Sequence, residues 1–295
     1  MAVSIIIPAH NESAVIGRCL TTMLRDANPG ELDIIVVANG CTDDTAAKAR
    51  SISPDVRVID TATPGKSNAL NVGDAVANNF PRFYVDADVR LPIDSIRRVS
   101  QILRGGTFLA AAPRIAFDLS ERNWFVRAFY DIWLRTPYML EGMIGSGVYA
   151  VNAAGRSRWD KIPLITADDA FVRLQFKPEE RTVVGDCTFT VTPPTSLAGL
   201  VKIKTRGHFG NEELKQVHPE LFANEGKPHG QALAAMARNP ALWPKLAVYA
   251  YVRIASRRAS AKRMQRGDHK TWERDDSSRT PVDRDTALTK PSVSH

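Results

Sequence analysis

Tyr84-Val85-Asp86-Ala87-Asp88-Val89 places two carboxylates one residue apart at the end of a short apolar run. Successive side chains of a strand point to opposite faces of a sheet, so both acids can converge on one point only where the strand ends and turns. Carboxylate oxygens suit Mg2+ or Mn2+, and a site that supplies one or two of them leaves coordination positions for waters and substrate phosphates. The sequence therefore predicts a divalent cation at Asp86 and Asp88, and a substrate that carries a diphosphate.

The segments around this run alternate short β-rich stretches with helical patterns. Strands are predicted at residues 4–8, 33–38, 56–60 and 82–85, each followed by polar residues and then by a helix or a loop. This alternation is typical of βαβ units and therefore of a parallel sheet. Because open α/β sheets bind their ligands at the carboxyl ends of the strands, we expect the polar segments to meet in one crevice.

Beyond residue 90 the pattern predicts helices at 94–103 and 121–134, a strand at 108–115, and a turn at residues 145–147 before another strand. Residues 206–211 predict a loop. The helical stretches that follow are interrupted by prolines, namely Pro219, Pro228, Pro240 and Pro244. The polar, charged segment 267–295 predicts a disordered tail.

The composition predicts a cytoplasmic α/β protein. The chain has 295 residues, 44% of them hydrophobic, which suits one large domain with appended elements. Cys19, Cys41 and Cys187 are odd in number and lack a C-x-x-C spacing, so neither a disulfide framework nor a zinc site is indicated. The chain starts on an apolar strand without the features of a signal peptide, and contains no run of about 18–20 apolar residues. If the protein meets a membrane, we expect it to lie on the inner face of the plasma membrane.

The formal charge of +7 is concentrated near the end of the chain. The segment from Arg253 to Arg266 contains only basic charges, which nucleic acid, anionic lipid or solubility could each explain. The preceding stretch, Leu242 to Ile254, is apolar and aromatic, which suits an anionic membrane surface, with a solvated helix end as the alternative. Nucleic acid is not expected as a partner. A second aromatic stretch, residues 124–133, predicts either a membrane contact or ordinary core packing.

Five segments in this order resemble the family 2 glycosyltransferases, and the resemblance covers roughly residues 3–210. The segments are 5–12 (IIIPAHNE), 39–45 (NGCTDDT), 65–71 (GKSNALN), 86–88 (DAD) and 167–169 (ADD). The resemblance implies an α/β GT-A-type fold, with a mainly parallel central sheet flanked by helices and a C-terminal helical extension. It further implies a glycosyltransferase domain at 1–215, with a nucleotide half at 1–90 and an acceptor half at 91–215, followed by the extension at 216–266.

The resemblance also implies which residues line the nucleotide pocket. They are Pro8, Asn11, Glu12, Asn39, Asp43, Lys66 and Asp86. Carboxylates here can accept hydrogen bonds from ribose hydroxyls. The alternatives are local: a strand end and helix caps for the first three, a turn acid for Asp43, and a solvated surface lysine for Lys66. Asn39 stands where the family often has an acid, so the ligand contacts at this position are expected to be weaker or differently selective.

The catalytic roles come from the same resemblance. Asp169 is expected to be the base that takes the proton of the acceptor hydroxyl, and Asp168 to orient it or to hold the acceptor. The turn at Gly145, Ser146 and Gly147 is expected under the donor sugar and acceptor, although any tight turn favours glycine. Arg206 is expected over the diphosphate, and His208 either completes the metal shell with Asp86 and Asp88 or is simply exposed.

These expectations describe a metal-dependent enzyme that uses Mg2+ or Mn2+. It would move a sugar from a nucleoside diphosphate, with UDP as the first expectation, to a hydroxyl on a lipid-linked or cell-envelope glycan, with inversion. The Q-x-x-R-W motif of processive synthases is absent, which favours addition of one sugar at a time. The alternatives are a sugar nucleotidyltransferase, whose glycine-rich arginine loop is missing after the first strand, and a non-catalytic nucleotide-sugar-binding protein. A G-x-G-x-x-G loop typical of dinucleotide-binding oxidoreductases is also missing.

Overall fold

The computed structural model describes residues 2–140, 145–225 and 230–267. Within these ranges seven strands form one sheet in the order β3-β2-β1-β4-β6-β5-β7. The strands are β1 (Val3–Ala9), β2 (Leu32–Asn39), β3 (Arg57–Thr61), β4 (Arg82–Val85), β5 (Ala110–Phe117), β6 (Val148–Val151) and β7 (Arg181–Val191). β6 runs antiparallel to both of its neighbours and every other pairing is parallel. The predicted fold class, a mainly parallel sheet with flanking helices, is confirmed.

The centre of the sheet is apolar on both faces. β1 and β2 are nearly continuous runs of isoleucine and valine, and their residues are buried. In the register of the sheet Ile6 lies beside both Ile35 and Tyr84. The carboxyl ends of β1, β2 and β4 therefore reach the same edge, which brings segments 10–12, 39–45 and 86–88 together.

Helices cover both faces of the sheet. They are α1 (Ile16–Leu24), α2 (Thr45–Ile52), α3 (Lys66–Val76), α4 (Ile93–Arg104), α5 (Trp124–Trp133), α6 (Pro137–Leu140), α7 (Ala153–Arg156), α8 (Asp168–Leu174), α9 (Leu197–Val217), α10 (Gly230–Ala237) and α11 (Trp243–Gln265). One apolar cluster joins α1 and α4 to the sheet, and a second joins α3 and α8 to the opposite face. α5, α9 and α11 form a third apolar cluster.

Two features of the second half differ from the sequence expectation. β7 was not predicted, because its partly exposed residues include Gly185 and Asp186 and lack a clear alternating pattern. The loop predicted at 206–211 is wrong, because α9 continues through it. A β-carbon on Gly210 would lie 2.9 Å from the β-carbon of Ala167, so this glycine allows α9 to pack closely rather than ending the helix. Tertiary packing here outweighs the low helix propensity of glycine.

The prolines after α9 mark the starts of helices. Pro219 and Pro240 begin short 3-10 helices, and Pro244 lies in the first turn of α11. Proline is well tolerated at such positions, because its missing N–H would have no intrahelical partner there. Pro228 and the predicted tail from 268 onward lie outside the described residues, and the tail stays a prediction.

The aromatic stretch on α5 is largely core. Phe129 and Tyr130 are buried against α9 and α11, whereas Trp124 and Phe125 at the start of the helix are about half exposed. Within the described ranges, none of the helices combines the length and the apolarity that crossing a bilayer requires.

Candidate active site

Lys66 connects acids from two distant parts of the chain. Its Nζ lies 2.8 Å from Oδ1 of Asp86, at the end of β4, and 3.2 Å from Oδ2 of Asp168, at the start of α8. Lys66 itself is the first residue of α3. The fold thus brings the ends of three separate elements to one point, as the crevice predicted at this sheet edge requires.

The electrostatics of this cluster are dominated by negative charge. Burial raises the pKa of Asp168 to about 6; Lys66 opposes this rise, whereas Asp169 and Asp86 reinforce it. Burial would lower the pKa of Lys66, but the charges of Asp168, Asp86 and Asp169 outweigh it and raise that pKa. Because one lysine faces three carboxyl groups, the negative charge of the cluster favours binding of a further cation.

The glycine turn holds Asp169. The backbone N–H of Ser146 donates to Oδ2 of Asp169 at 3.1 Å, and the N–H of Ala170 donates to Oδ1 at 2.8 Å. Gly145 has a φ of 117°, and a β-carbon there would lie 3.0 Å from Oδ2 of Asp169. Glycine is required at 145 both by this conformation and by the close approach.

The same turn also reaches the acids after β4. The N–H of Asp86 donates to the carbonyl of Gly147 at 2.8 Å. A β-carbon on Gly147 would lie 3.9 Å from Oδ2 of Asp86 and 2.9 Å from Val89. Residues 145–147 therefore lie between Asp86 on one side and Asp169 on the other, and connect the candidate metal ligands to the candidate base.

Asp88 and Asp86 both act on Cys19 of α1. Burial raises the pKa of the Cys19 thiol, and the charge of Asp88 makes the largest electrostatic contribution to that rise, ahead of Asp86. The two aspartates therefore share one neighbourhood. The described residues contain no group of three or more histidine, cysteine, aspartate and glutamate side chains placed to hold a metal. A pair of carboxylates fits a hard divalent cation whose remaining ligands are waters and phosphate oxygens.

The predicted nucleotide residues lie at the ends of β1 and β2. Asn11 has a φ of 52°, and its Oδ1 accepts from the N–H of Thr42 at 2.7 Å. The N–H of Glu12 donates to Oγ1 of Thr45 at 2.8 Å. α1 begins only at Ile16 and has no side-chain cap, so Asn11 joins two loops rather than capping this helix. Pro8 lies in β1 itself, one residue before its end.

Asp43 is already an acceptor for the protein. Its Oδ2 accepts from the N–H of Ser13 at 3.1 Å, and its Oδ1 accepts from the N–H of Thr45 at 3.0 Å and from the hydroxyl of Thr45. Burial would raise the pKa of Asp43, but these hydrogen bonds outweigh it and lower that pKa. These hydrogen bonds hold the carboxylate in place between the loops that follow β1 and β2.

Asn39 joins three segments. Its Nδ2 donates to the carbonyl of Ala9 at 2.8 Å, and its Oδ1 accepts from the N–H of Gly65 at 3.0 Å. The side chain is buried at the end of β2. An aspartate, the residue often found here in the family that the sequence resembles, has no N–H for the carbonyl of Ala9. The amide therefore has a structural role that the sequence alone did not reveal.

A buried charged network lies beneath the site and was missed by the sequence analysis. Asp74 of α3 accepts hydrogen bonds from Arg82 and Tyr84 of β4 and from Arg156 of α7. The Tyr84 hydroxyl lies 2.7 Å from Oδ1 of Asp74. The network fixes α3 against β4, and so positions Lys66 relative to Asp86. The available signal was Arg82 itself, a charge that opens an otherwise apolar strand.

Arg206 and His208 lie on α9 instead of a mobile loop. Burial lowers the pKa of His208 to about 4, and the charges of Arg253, Arg257 and Lys204 lower it further. The charged groups that act on His208 are therefore cations, and the structure does not bring it to Asp86 and Asp88. α9 reaches the acid pair elsewhere, through Gly210 against Ala167 and through Glu213, which accepts from the N–H of Thr166 at 2.8 Å.

A family model and a curated relative that match the chain are both glycosyltransferases. The family model described as glycosyl transferase family 2 matches residues 4–161, more than half of the 295-residue chain. A 4,4'-diaponeurosporenoate glycosyltransferase of Staphylococcus aureus is 41% identical over 92 residues, which span 30% of this chain and only 24% of that relative.

Two solved structures share the fold. A mannosyltransferase from Pyrobaculum calidifontis, in complex with GDP-Man and Mn2+, has a TM-score of 0.57 at 18% identity, covering 92% of this chain and 76% of its own. A mycobacterial protein has a TM-score of 0.51 at 18% identity, covering 73% and 74% of the two chains. At this identity the likeness establishes the fold alone.

Proposed function

The chain belongs to glycosyltransferase family 2, and on this basis we propose that it transfers a sugar from a nucleoside diphosphate to an acceptor hydroxyl with inversion at the anomeric carbon. The observation that supports this reaction best is the contact of Lys66 with both Asp86 and Asp168, beside Asp169. A donor-side acid and the acid pair lie at one point, which is what direct displacement between two bound substrates requires.

The nucleotide is proposed to bind along the ends of β1 and β2. The carboxylates of Asp43 and Glu12 are the proposed acceptors for ribose hydroxyls and for N–H groups of the base. Lys66, at the start of α3, is proposed to meet the diphosphate, whose charge would draw it away from Asp86. UDP-linked sugars are the first donors to test, and GDP-mannose belongs in the same screen because the Pyrobaculum mannosyltransferase was solved with it.

Asp86 and Asp88 are the proposed ligands of Mg2+ or Mn2+. When bound, such an ion neutralises the negative charge that develops on the departing nucleoside diphosphate. Release of Asp86 from Lys66 would make both of its oxygens available. His208 is not needed for this role, since substrate phosphates and waters complete the shell of such ions.

Asp169 is the proposed general base. Two backbone N–H groups orient its carboxylate at the start of α8. It would accept the proton of the acceptor hydroxyl as that oxygen attacks the anomeric carbon. Asp168, buried between Lys66 and Asp169, is proposed to keep these two side chains in position and to contact the acceptor.

The preferred acceptor is a lipid-linked or cell-envelope glycan. α11 exposes Trp243, Tyr251 and Ile254, each more than half accessible, and carries basic residues with no acid along its length. Exposed aromatic residues next to basic ones suit the headgroup region of an anionic membrane. Sedimentation with anionic vesicles tests this contact: Tyr251→Ser should reduce binding, and equal binding by both proteins would contradict it.

The reaction is tested by incubating the full chain with each nucleotide sugar, with and without Mn2+, and measuring release of the nucleoside diphosphate. Asp169→Asn should lower turnover by at least about 100-fold, the usual contribution of a general base, and leave donor affinity nearly unchanged. Asp186→Asn, which alters an exposed acid on β7, is the matched control. Formation of a nucleoside triphosphate and a sugar 1-phosphate after pyrophosphate is added would instead identify a nucleotidyltransferase, and donor binding without turnover would identify a binding protein.

A further inference from the structure

Basic side chains gather between α9 and α11, two helices that supply none of the proposed catalytic residues or metal ligands. Lys204 and His208 belong to α9, and Arg253 and Arg257 belong to α11. The two helices pack against each other, and each pair of residues, spaced four apart, lies next to buried residues of its helix: Thr205 and Phe209 on α9, and Val252 and Ser256 on α11. We call these four residues the basic cluster.

The basic cluster has no acidic partner within the parts of the chain that the structure describes. α11 contains no acid at all. The acid that the neighbouring α5 contributes, Asp131, is already engaged by Lys245 at 2.6 Å and by Arg135 at 2.9 Å. On α9, Glu213 accepts from the backbone of Thr166 on the side that faces the acid pair.

Burial makes this arrangement costly. It lowers the pKa of Lys204 to about 7 and that of His208 to about 4, and it also lowers the pKa of Arg253. In each case neighbouring cations add to the effect. An anion that binds among desolvated, neighbouring basic groups stabilises their charged forms.

Aromatic rings form one wall of the basic cluster. Lys204 Nζ lies 3.2 Å from the ring centroid of Trp133 and 5.4 Å from that of Phe129. Phe129 in turn stacks on Tyr249 of α11, at 5.3 Å between centroids. A cation over an aromatic face is stabilised by the electron density of the ring, and this contact holds Lys204 in place without neutralising Arg253 or Arg257.

We propose that the basic cluster binds a phosphate group. Two guanidinium groups offer the paired N–H donors that match phosphate oxygens, and Lys204 adds a point charge beside them. The site differs from the donor site in charge, because the cluster around Lys66 is negative and requires a divalent cation before it can hold an anion. Such a phosphate belongs either to a soluble ligand or to a phospholipid headgroup at the membrane face of α11.

The test measures binding directly and does not depend on turnover. The full chain, in EDTA to exclude divalent cations, is titrated with sodium phosphate while sodium chloride keeps the ionic strength constant. Phosphate at about ten times its Kd should raise Tm by roughly 3 °C. Arg253→Gln should raise the Kd for phosphate at least about tenfold, since it removes charge-assisted hydrogen bonds. Arg257→Gln should also weaken binding, and because Arg257 is exposed this variant is expected to fold normally.

Arg258→Gln is the matched control, since it removes the same charge from an exposed position of the same helix. Its Kd should stay within about twofold of that of the parent protein. A parallel series uses vesicles of phosphatidylcholine with and without phosphatidylglycerol. If vesicle binding requires Arg253 and soluble phosphate displaces the vesicles, the phosphate belongs to a lipid headgroup. If the protein binds phosphate but its vesicle binding does not depend on Arg253, the phosphate belongs to a soluble ligand. Equal effects of the Arg253, Arg257 and Arg258 variants, or no saturable binding in either series, would overturn the proposal.

Discussion

Asp168→Asn should stabilise the protein at neutral pH, because the buried, ionised carboxylate of Asp168 lowers the free energy of unfolding. The group is almost completely buried, so solvent screening does not reduce the effect. Its pKa is about 6 in the folded protein and 3.8 in the reference state. This difference corresponds to about 3 kcal/mol, at about 1.4 kcal/mol for each tenfold change in the ionisation constant.

The sign of the effect follows from proton binding. Below pH 3.8 the carboxyl is protonated in both states and contributes no difference. Between pH 3.8 and about 6 the unfolded chain releases the proton while the folded protein keeps it, so the free energy of unfolding falls as pH rises. Above about pH 6 the full cost is present. Asparagine does not titrate, and Lys66 keeps its ion pair with Asp86 in the variant.

Urea denaturation of the parent protein and the variant at pH 4, 5, 6 and 7.5, in EDTA, checks this expectation. The stability of the variant relative to the parent should increase by about 2.5 kcal/mol between pH 4 and pH 7.5, because a small part of the full cost is already present at pH 4. Asp186→Asn should not show this trend, because Asp186 is exposed and lies 2.8 Å from the side chain of Arg98, away from the buried cluster. A relative stability that is flat, or that declines toward neutral pH, would refute the reasoning and show that Lys66 over-compensates the burial of Asp168.

Three further changes test other parts of the site. Gly145→Ala should lower turnover more than tenfold and leave donor affinity in a thermal-shift titration largely intact, because the new methyl group would displace Asp169; wild-type kinetics would contradict this contact. Tyr84→Phe should lower the free energy of unfolding in urea by about 1.5–3 kcal/mol, since it removes a buried hydrogen bond to the charged Asp74. Asn39→Ala should cost about 1–3 kcal/mol in the same assay and weaken donor binding, because the buried carbonyl of Ala9 and the N–H of Gly65 lose this partner; an unchanged Kd for the donor would separate Asn39 from the nucleotide pocket.

The first half of the chain could be predicted because its signals are local. The strand at 82–85 has the predicted bounds, and β1 and β2 extend the predicted strands by one residue at each end. Buried parallel strands need continuous apolar runs, and such runs are visible in the sequence without knowledge of their neighbours. The polar residues after each strand then predict a common crevice from topology alone, and the contacts of Lys66 agree with it.

The second half was harder because its structure depends on distant contacts. Gly207 and Gly210 indicate a loop when they are considered locally, yet α9 runs through both. The sequence does not show that Gly210 packs against Ala167, and this contact turns an apparent helix breaker into a packing residue. The role of His208 could not be predicted locally either, because the fold gives it Arg253 and Arg257 as neighbours instead of carboxylates.

The order of apolar runs and polar strand ends was enough to specify a mainly parallel sheet and to identify which acids belong at its edge. The tertiary structure alone decided how those acids are connected: Lys66 spans Asp86 and Asp168, the turn at 145–147 orients Asp169, and Asn39 ties together loops that are far apart in the chain. The physical reason is that hydrophobic periodicity is a property of neighbouring residues, whereas charge pairing, desolvation and close backbone approach depend on atoms that only folding brings together.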